Sequence, residues 1–248
     1  MRNKIWIVFL VFFILFSYPI AYGAKKKKEP KTKHKIEFVT KDKFILSGDL
    51  YIANPKTDKP LIVALHSFSL NAKAWQKLAG NLRQKGYNVL AMDLRGHGRS
   101  IYNENLKLKS RYKFTKNDWQ KLPNDVIESI NYIKSNYPSI NCNEVIFMGA
   151  DIGASAGVLA GINLKKQPLK FVLISPMINF KGLYIPIKIA SYTETKFLIL
   201  LSKSDKVLFN FYTKDKPIIK TYPIGGPGNQ LINANQDAQN DIINFIIN

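Results

Sequence analysis

One cysteine, Cys142, stands among 248 residues, so no intramolecular disulfide can form. Histidine is almost as scarce: His34, His66 and His97 are the only imidazoles, and the last 150 residues contain none. With so few thiols and imidazoles to act as ligands, a dedicated transition-metal site is not expected, nor does any motif call for a cofactor. Acidic residues are in short supply too, 17 against 37 Lys and Arg, for a formal net charge of +20. Such an excess suggests a polyanionic partner. Its distribution argues otherwise. Arg2 and Lys4 sit at the amino terminus, and Lys25–Lys43 holds nine lysines against Glu29, Glu37 and Asp42. The rest is mostly isolated lysine with no RNP, zinc-finger or helix-turn-helix pattern, so specific nucleic-acid recognition is not expected.

What is present begins with a segment unlike the rest. Met1–Lys4 carries two cations, Ile5–Ile20 is almost wholly apolar, and Ala21, Gly23 and Ala24 supply small residues behind it. That is the order of an export signal, and cleavage after Gly23 suits it. Ile5–Ala24 is also long enough to cross a bilayer as a helix, and the lysines behind it resist translocation. Export to the periplasm or the outside is the favoured reading for residues 1–24, with an uncleaved anchor as the alternative. Residues 25–34 read as a Lys-rich linker, in which Lys25, Lys26, Lys27 and Lys28 are either solvated or in contact with anionic lipid.

Residues 35–248 then alternate strand and helix. Lys35–Thr40 and Phe44–Ala53 suit an opening hairpin. Leu61–Leu65 (LIVAL) is a continuous apolar run, as in a strand buried on both faces. Ala72–Lys85 follows at helical spacing and stops at Gly86. Tyr87–Met92, Val145–Met148, Phe171–Ile174, Lys196–Leu201 and Ile218–Tyr222 read as strands. Leu122–Tyr137, Ile152–Leu164 and Asn233–Ile247 read as helices. Alternation of this kind implies an α/β fold whose mainly parallel sheet is covered by helices on both faces. Ligands in such sheets sit beyond the carboxyl ends of the strands, so the residues just after each strand carry the functional information.

Those residues are His66-Ser67-Phe68-Ser69, Asp93-Leu94-Arg95-Gly96-His97-Gly98-Arg99-Ser100, Gly149-Ala150-Asp151-Ile152-Gly153, Ser175-Pro176 and Ser202-Lys203-Ser204-Asp205-Lys206-Val207. Together they resemble the α/β-hydrolase superfamily from about Leu61 to the carboxyl terminus. The D-x-R-G-H-G-x-S block after a G-Y-x-V-x-x strand is the most specific piece. More closely, the chain resembles compact, capless bacterial serine hydrolases. The resemblance implies a sharp strand-to-helix turn, G-x-S-x-G, with the nucleophile at its apex and glycines where side chains would collide. It also implies an acid after a later strand, a late histidine as base, and an oxyanion site of backbone amides.

Against that pattern, Asp151 occupies the elbow position and Asp205 the acid position, while Pro227 aligns with the base. The oxyanion donors would be the amides of Phe68 and Ile152. Gly153-Ala154-Ser155-Ala156-Gly157 also satisfies the elbow expression, but Ser155 lies a helical turn beyond the strand and is rejected. Three readings of Asp151 follow. As a nucleophile, as in dehalogenase- and epoxide-hydrolase-like relatives, it would attack an alkyl carbon, but no late histidine would activate water to resolve the ester, and Pro176–Thr195 is too short for those relatives' cap. As a structural residue, it would accept hydrogen bonds from the first amides of the next helix, and turnover would be weak or absent. Third, His66 or His97 could reach the cleft and rescue hydrolysis. The favoured reading is a hydrolase fold of esterase or acyl-hydrolase descent, weakly active or non-catalytic, with a small-molecule substrate or ligand as its partner. The rival is a ligand-binding cell-envelope protein that reuses the pocket.

Overall fold

The computed structural model describes residues 32–205 and 217–248. The expected export segment, Lys25–Lys28, and the Lys206-Val207 end of the acid-bearing stretch lie outside the described residues. Eight strands form one sheet: β1 (Lys33–Val39), β2 (Ile45–Tyr51), β3 (Pro60–Leu65), β4 (Val89–Asp93), β5 (Asn141–Ala150), β6 (Lys170–Ile174), β9 (Lys196–Ser202) and β10 (Ile218–Tyr222). Their order is β1-β2-β4-β3-β5-β6-β9-β10. β1 and β2 pair antiparallel, as do β2 and β4, and the rest of the sheet is parallel. β7 (Asn179–Phe180) and β8 (Leu183–Tyr184) form a separate small hairpin.

The apolar run of β3 shows why the sheet is buried on both sides. Leu61, Val63 and Leu65 join one core cluster, and Ile62 and Ala64 join the other. Successive strand side chains point to opposite faces, so an unbroken apolar run serves two cores at once. On the first face lie α3 (Leu122–Asn136), through Val126, Ile130 and Ile133, and α4 (Ile152–Gly161). On the second lie α1 (Gln76–Gln84), through Leu78 and Leu82, and α7 (Gln236–Ile247), through Ile242 and Ile246. Among the described residues no helix is long and apolar enough to cross a membrane.

Several boundaries depart from the sequence reading. β1 starts at Lys33, so the strand takes in two residues read as linker, because Lys33 pairs with Tyr51 across the hairpin. The expected final helix is two: α6 (Asn229–Ala234) ends where Asn235 turns extended, and the Asn235 side chain then caps α7 by accepting from the Ala238 amide at 3.1 Å. A further helix, α2 (Lys116–Gln120), precedes α3 and is started by a Thr115–Asp118 capping box. The connection before β9 holds the β7–β8 hairpin and a short α5 (Pro186–Ile189).

Candidate active site

Described residues beyond the carboxyl ends of the parallel strands come together around the turn from β5 into α4. Asp151 occupies its apex at φ 54° and ψ −118°, a backbone state that a residue with a side chain rarely adopts. Its amide donates to the Ile174 carbonyl at 2.9 Å, and its own carbonyl starts α4 by accepting from Ala154. Gly153 lets the helix approach: a Cβ there would stand 2.3 Å from the Leu65 carbonyl oxygen. Ser155 is fully buried one turn inside α4 and donates to the Met177 carbonyl at 3.2 Å, away from the apex.

The Asp151 carboxylate accepts from the Phe68 amide at 3.1 Å. Burial pushes its pKa up, the Phe68 and Ile152 amides oppose this, and the charge of Asp205 adds to the rise. Phe68 and Ile152, the expected oxyanion donors, thus converge on the side chain of Asp151. The expected capping is met only in part: the Ile152 amide at the start of α4 acts on the carboxylate without cap hydrogen-bond geometry, and the hydrogen bond itself comes from the Phe68 amide in the turn after β3.

Asp205 lies close behind. Its Oδ2 accepts from the Ser175 hydroxyl at 2.6 Å and the Ser202 amide at 2.7 Å. The Ser175 oxygen in turn accepts from the Gly228 amide at 2.8 Å. Gly228 is also the residue that abuts Asp151, since a Cβ on it would lie 3.5 Å from Asp151 Cβ and 2.2 Å from Ser67 Oγ. Pro227, which the alignment of motifs set at the base position, is exposed. Gly225 and Gly228 take positive φ in this loop, and it is Gly228 that stands beside Asp151.

Ser67 holds that loop. Its hydroxyl and amide both donate to Asn229 Oδ1, at 3.0 and 2.8 Å, and its oxygen accepts from the Asn229 amide at 2.9 Å. Sequence reasoning put Ser175 at a strand end without a role and assigned none to Asn229. The available signal was a polar residue just after a strand and another opening a helix, which many loops share.

None of the three imidazoles serves Asp151. His66 is fully buried; its Nδ1 lies 2.7 Å from the Ser67 carbonyl, and its Nε2 accepts from the Leu94 amide at 3.0 Å. This pair of bonds selects the neutral ring. Burial, with help from His97 and Arg111, pushes its pKa down to about 3 against the Ser67 carbonyl. A depressed folded value means that the unfolded chain binds the extra proton. The stability held by His66 is therefore complete above about pH 6.5 and drains as pH falls toward 3. Imidazole NMR at pH 5 should show His66 neutral and protonated on Nδ1; a charged ring there would contradict the geometry. His97 lies 2.8 Å from both the Arg95 and Phe68 carbonyls, and burial pushes it down to about 4. His34 is on β1, edge-on to Tyr137.

Beside Asp151, Phe68 packs against Trp119 and Phe180 at centroid distances of 5.7 and 5.5 Å. A broad surface cleft of about 640 Å³, lined by Lys56, Asp58 and Asn141 among others, lies at the amino ends of β3 and β5, opposite to Asp151. Among the described residues no group of three or more His, Cys, Asp or Glu side chains could hold a metal ion.

Residues 56–223 match the family described as serine aminopeptidase, S33. The chain belongs to that family. Its fold is accordingly that of the α/β hydrolases, and two solved structures bear this out. An esterase of Pyrococcus furiosus superposes with a TM-score of 0.63 at 19% identity, over 86% of this chain and 91% of its own. A Thermoplasma acidophilum protein described as a predicted CIB-like hydrolase gives 0.62 at 16% identity, over 86% and 98%. In sequence, this S33-family chain is 28% identical over 121 residues to a monoglyceride lipase homolog of Monkeypox virus, a match covering 49% of this chain and 40% of that relative. The chain thus has the α/β-hydrolase fold of that family.

Proposed function

We propose that this S33-family chain descends from ester or acyl hydrolases and has little or no ester turnover of its own. The observation that carries the reading is the Asp151 carboxylate bound to the Phe68 amide. In an ester hydrolase that amide waits for the developing oxyanion; here a side chain of the protein already uses it. Two further observations support the proposal. Gly228, beside Asp151, has no side chain to move a proton, and the Ser175 hydroxyl takes the Asp205 oxygen that would orient a base. An Asp151 nucleophile could form an alkyl ester by displacing a leaving group, but no imidazole stands ready to activate the water that must resolve it.

The expected result is that the full chain hydrolyses short-chain aryl esters no faster than buffer, and that Asp151→Ala leaves this unchanged. Turnover by the natural chain that Asp151→Ala abolishes would overturn the proposal. The nucleophile reading has its own signature, a mass increase on the Asp151 peptide after exposure to an alkyl halide.

A second reading, a binding protein of the cell envelope that reuses the cleft, draws on the aromatic cover of Phe68, Trp119 and Phe180. It predicts saturable binding of a small molecule without turnover. We also propose that residues 1–24 direct export, as a cleaved signal or a retained anchor, and that Lys25–Lys28 approach anionic lipid. An intact mass beginning at Ala24 or at Met1 separates the two fates of the segment.

A further inference from the structure

Eight of the fourteen exposed large apolar side chains among the described residues stand on three loops that follow β4, β6 and β10. Leu106, Leu108 and Tyr112 on the first, Met177 and Tyr184 on the second and Ile224 on the third are among them. The parallel strands put these loops at one end of the sheet, the end that carries Asp151. Concentration on one rim is unlike the scattered exposed apolar groups of an ordinary surface.

Leu106 shows that the exposure is built in. It is 73% exposed and held at φ +55°, where a leucine is strained. The turn is closed by the Leu106 amide on the Asn103 carbonyl, and by Asn103 Oδ1 accepting from the Asn105 and Lys107 amides. Asparagine or glycine would make that turn with less strain and no apolar exposure. Folding alone does not account for a leucine there.

The same loops are basic. Tyr102–Asp118 contains Lys107, Lys109, Arg111, Lys113 and Lys116, none in an ion pair among the described residues; of its two acids, Glu104 pairs with Lys43 and Asp118 caps α2. Pro176–Tyr192 adds Lys181 and Lys188 and has no acid at all. Lysines interleaved with leucine and tyrosine complement an anionic bilayer, whose headgroups take the ammonium groups while the apolar tips enter the interface. A second copy of a chain with net charge +20 would meet this surface with charge of the same sign.

We propose that the rim around Asp151 docks on an anionic lipid surface, with the Leu106–Tyr112 loop entering first. The proposal is independent of whether Asp151 supports turnover. Amide hydrogen exchange of the full chain on vesicles reads the rim separately from residues 1–31. On phosphatidylcholine vesicles with about 30% phosphatidylglycerol, residues 102–113 and 176–184 should exchange several-fold more slowly. The vesicle concentration for half-maximal protection should rise about fivefold in Lys107→Ser. A triple variant, Leu106→Asn, Leu108→Ser and Tyr112→Ser, alters only exposed side chains and should lose the protection. Unprotected loops on a vesicle-bound chain overturn the proposal and leave a protein partner as the reader of the patch. Equal protection on pure phosphatidylcholine, or full protection of the triple variant, overturns it as well.

Discussion

Arg95→Met is expected to lower the unfolding free energy by about 3–5 kcal/mol, read by urea denaturation, which lowers the melting temperature by about 10 °C. Arg95 is buried and forks onto two carboxylates. It donates to Asp125 through Nε at 2.7 Å, and to both oxygens of Asp42 at 2.8 and 2.9 Å, with its guanidinium over the Phe44 ring. Methionine fills the volume but leaves Asp125 buried without its cation. Burial already pushes Asp125 up to about 6 against the pull of Arg95. Without Arg95 the folded pKa rises further above the unfolded value, so the deficit should grow as pH goes from 5 to 8. A deficit that is flat with pH, or under about 1 kcal/mol, would show that Asp125 is not held by this pair. Arg95→Met with Asp125→Leu should recover part of the loss, because no orphan charge remains.

Gly153→Ala should destabilise the fold by about 3 kcal/mol or prevent its accumulation. The added methyl would meet the backbone of Leu65 and His66 at 2.3–2.7 Å, and neither can yield without moving β3, which is paired on both sides. Gly80→Ala provides the contrast. Gly80 lies inside α1 with nothing within 4 Å of the added Cβ, so alanine there should stabilise by about 0.5–1 kcal/mol through helix propensity alone. If both substitutions behave alike, close approach of α4 to β3 is not what the elbow glycine provides.

Much of the elbow was legible in the linear chain for a definite reason. A turn this sharp admits few residue types, so Gly149, Asp151 and Gly153 stand at the spacing the turn demands, and the apolar run before them marks the strand. The buried strands were legible too, since LIVAL serves two cores. The Thr115–Asp118 box and the Asn235 cap are local signals of the same kind. The closing of the cleft had no such local signal. Ser67 meets Asn229, 162 residues away, and Phe68 meets Asp151 across 83. No periodicity encodes which loop amide a carboxylate will take.

From residues alone came the α/β fold class, the carboxylate at the apex and the lack of any late imidazole, because composition and tight turns constrain what each position can hold. Which residue abuts the carboxylate, what occupies the Asp205 oxygen and where the exposed leucines gather depended on the packed chain. Those outcomes follow from loops that meet only once the parallel sheet has brought its carboxyl ends together, and hydrogen bonds between such loops are chosen by distance in space rather than by neighbourhood along the chain.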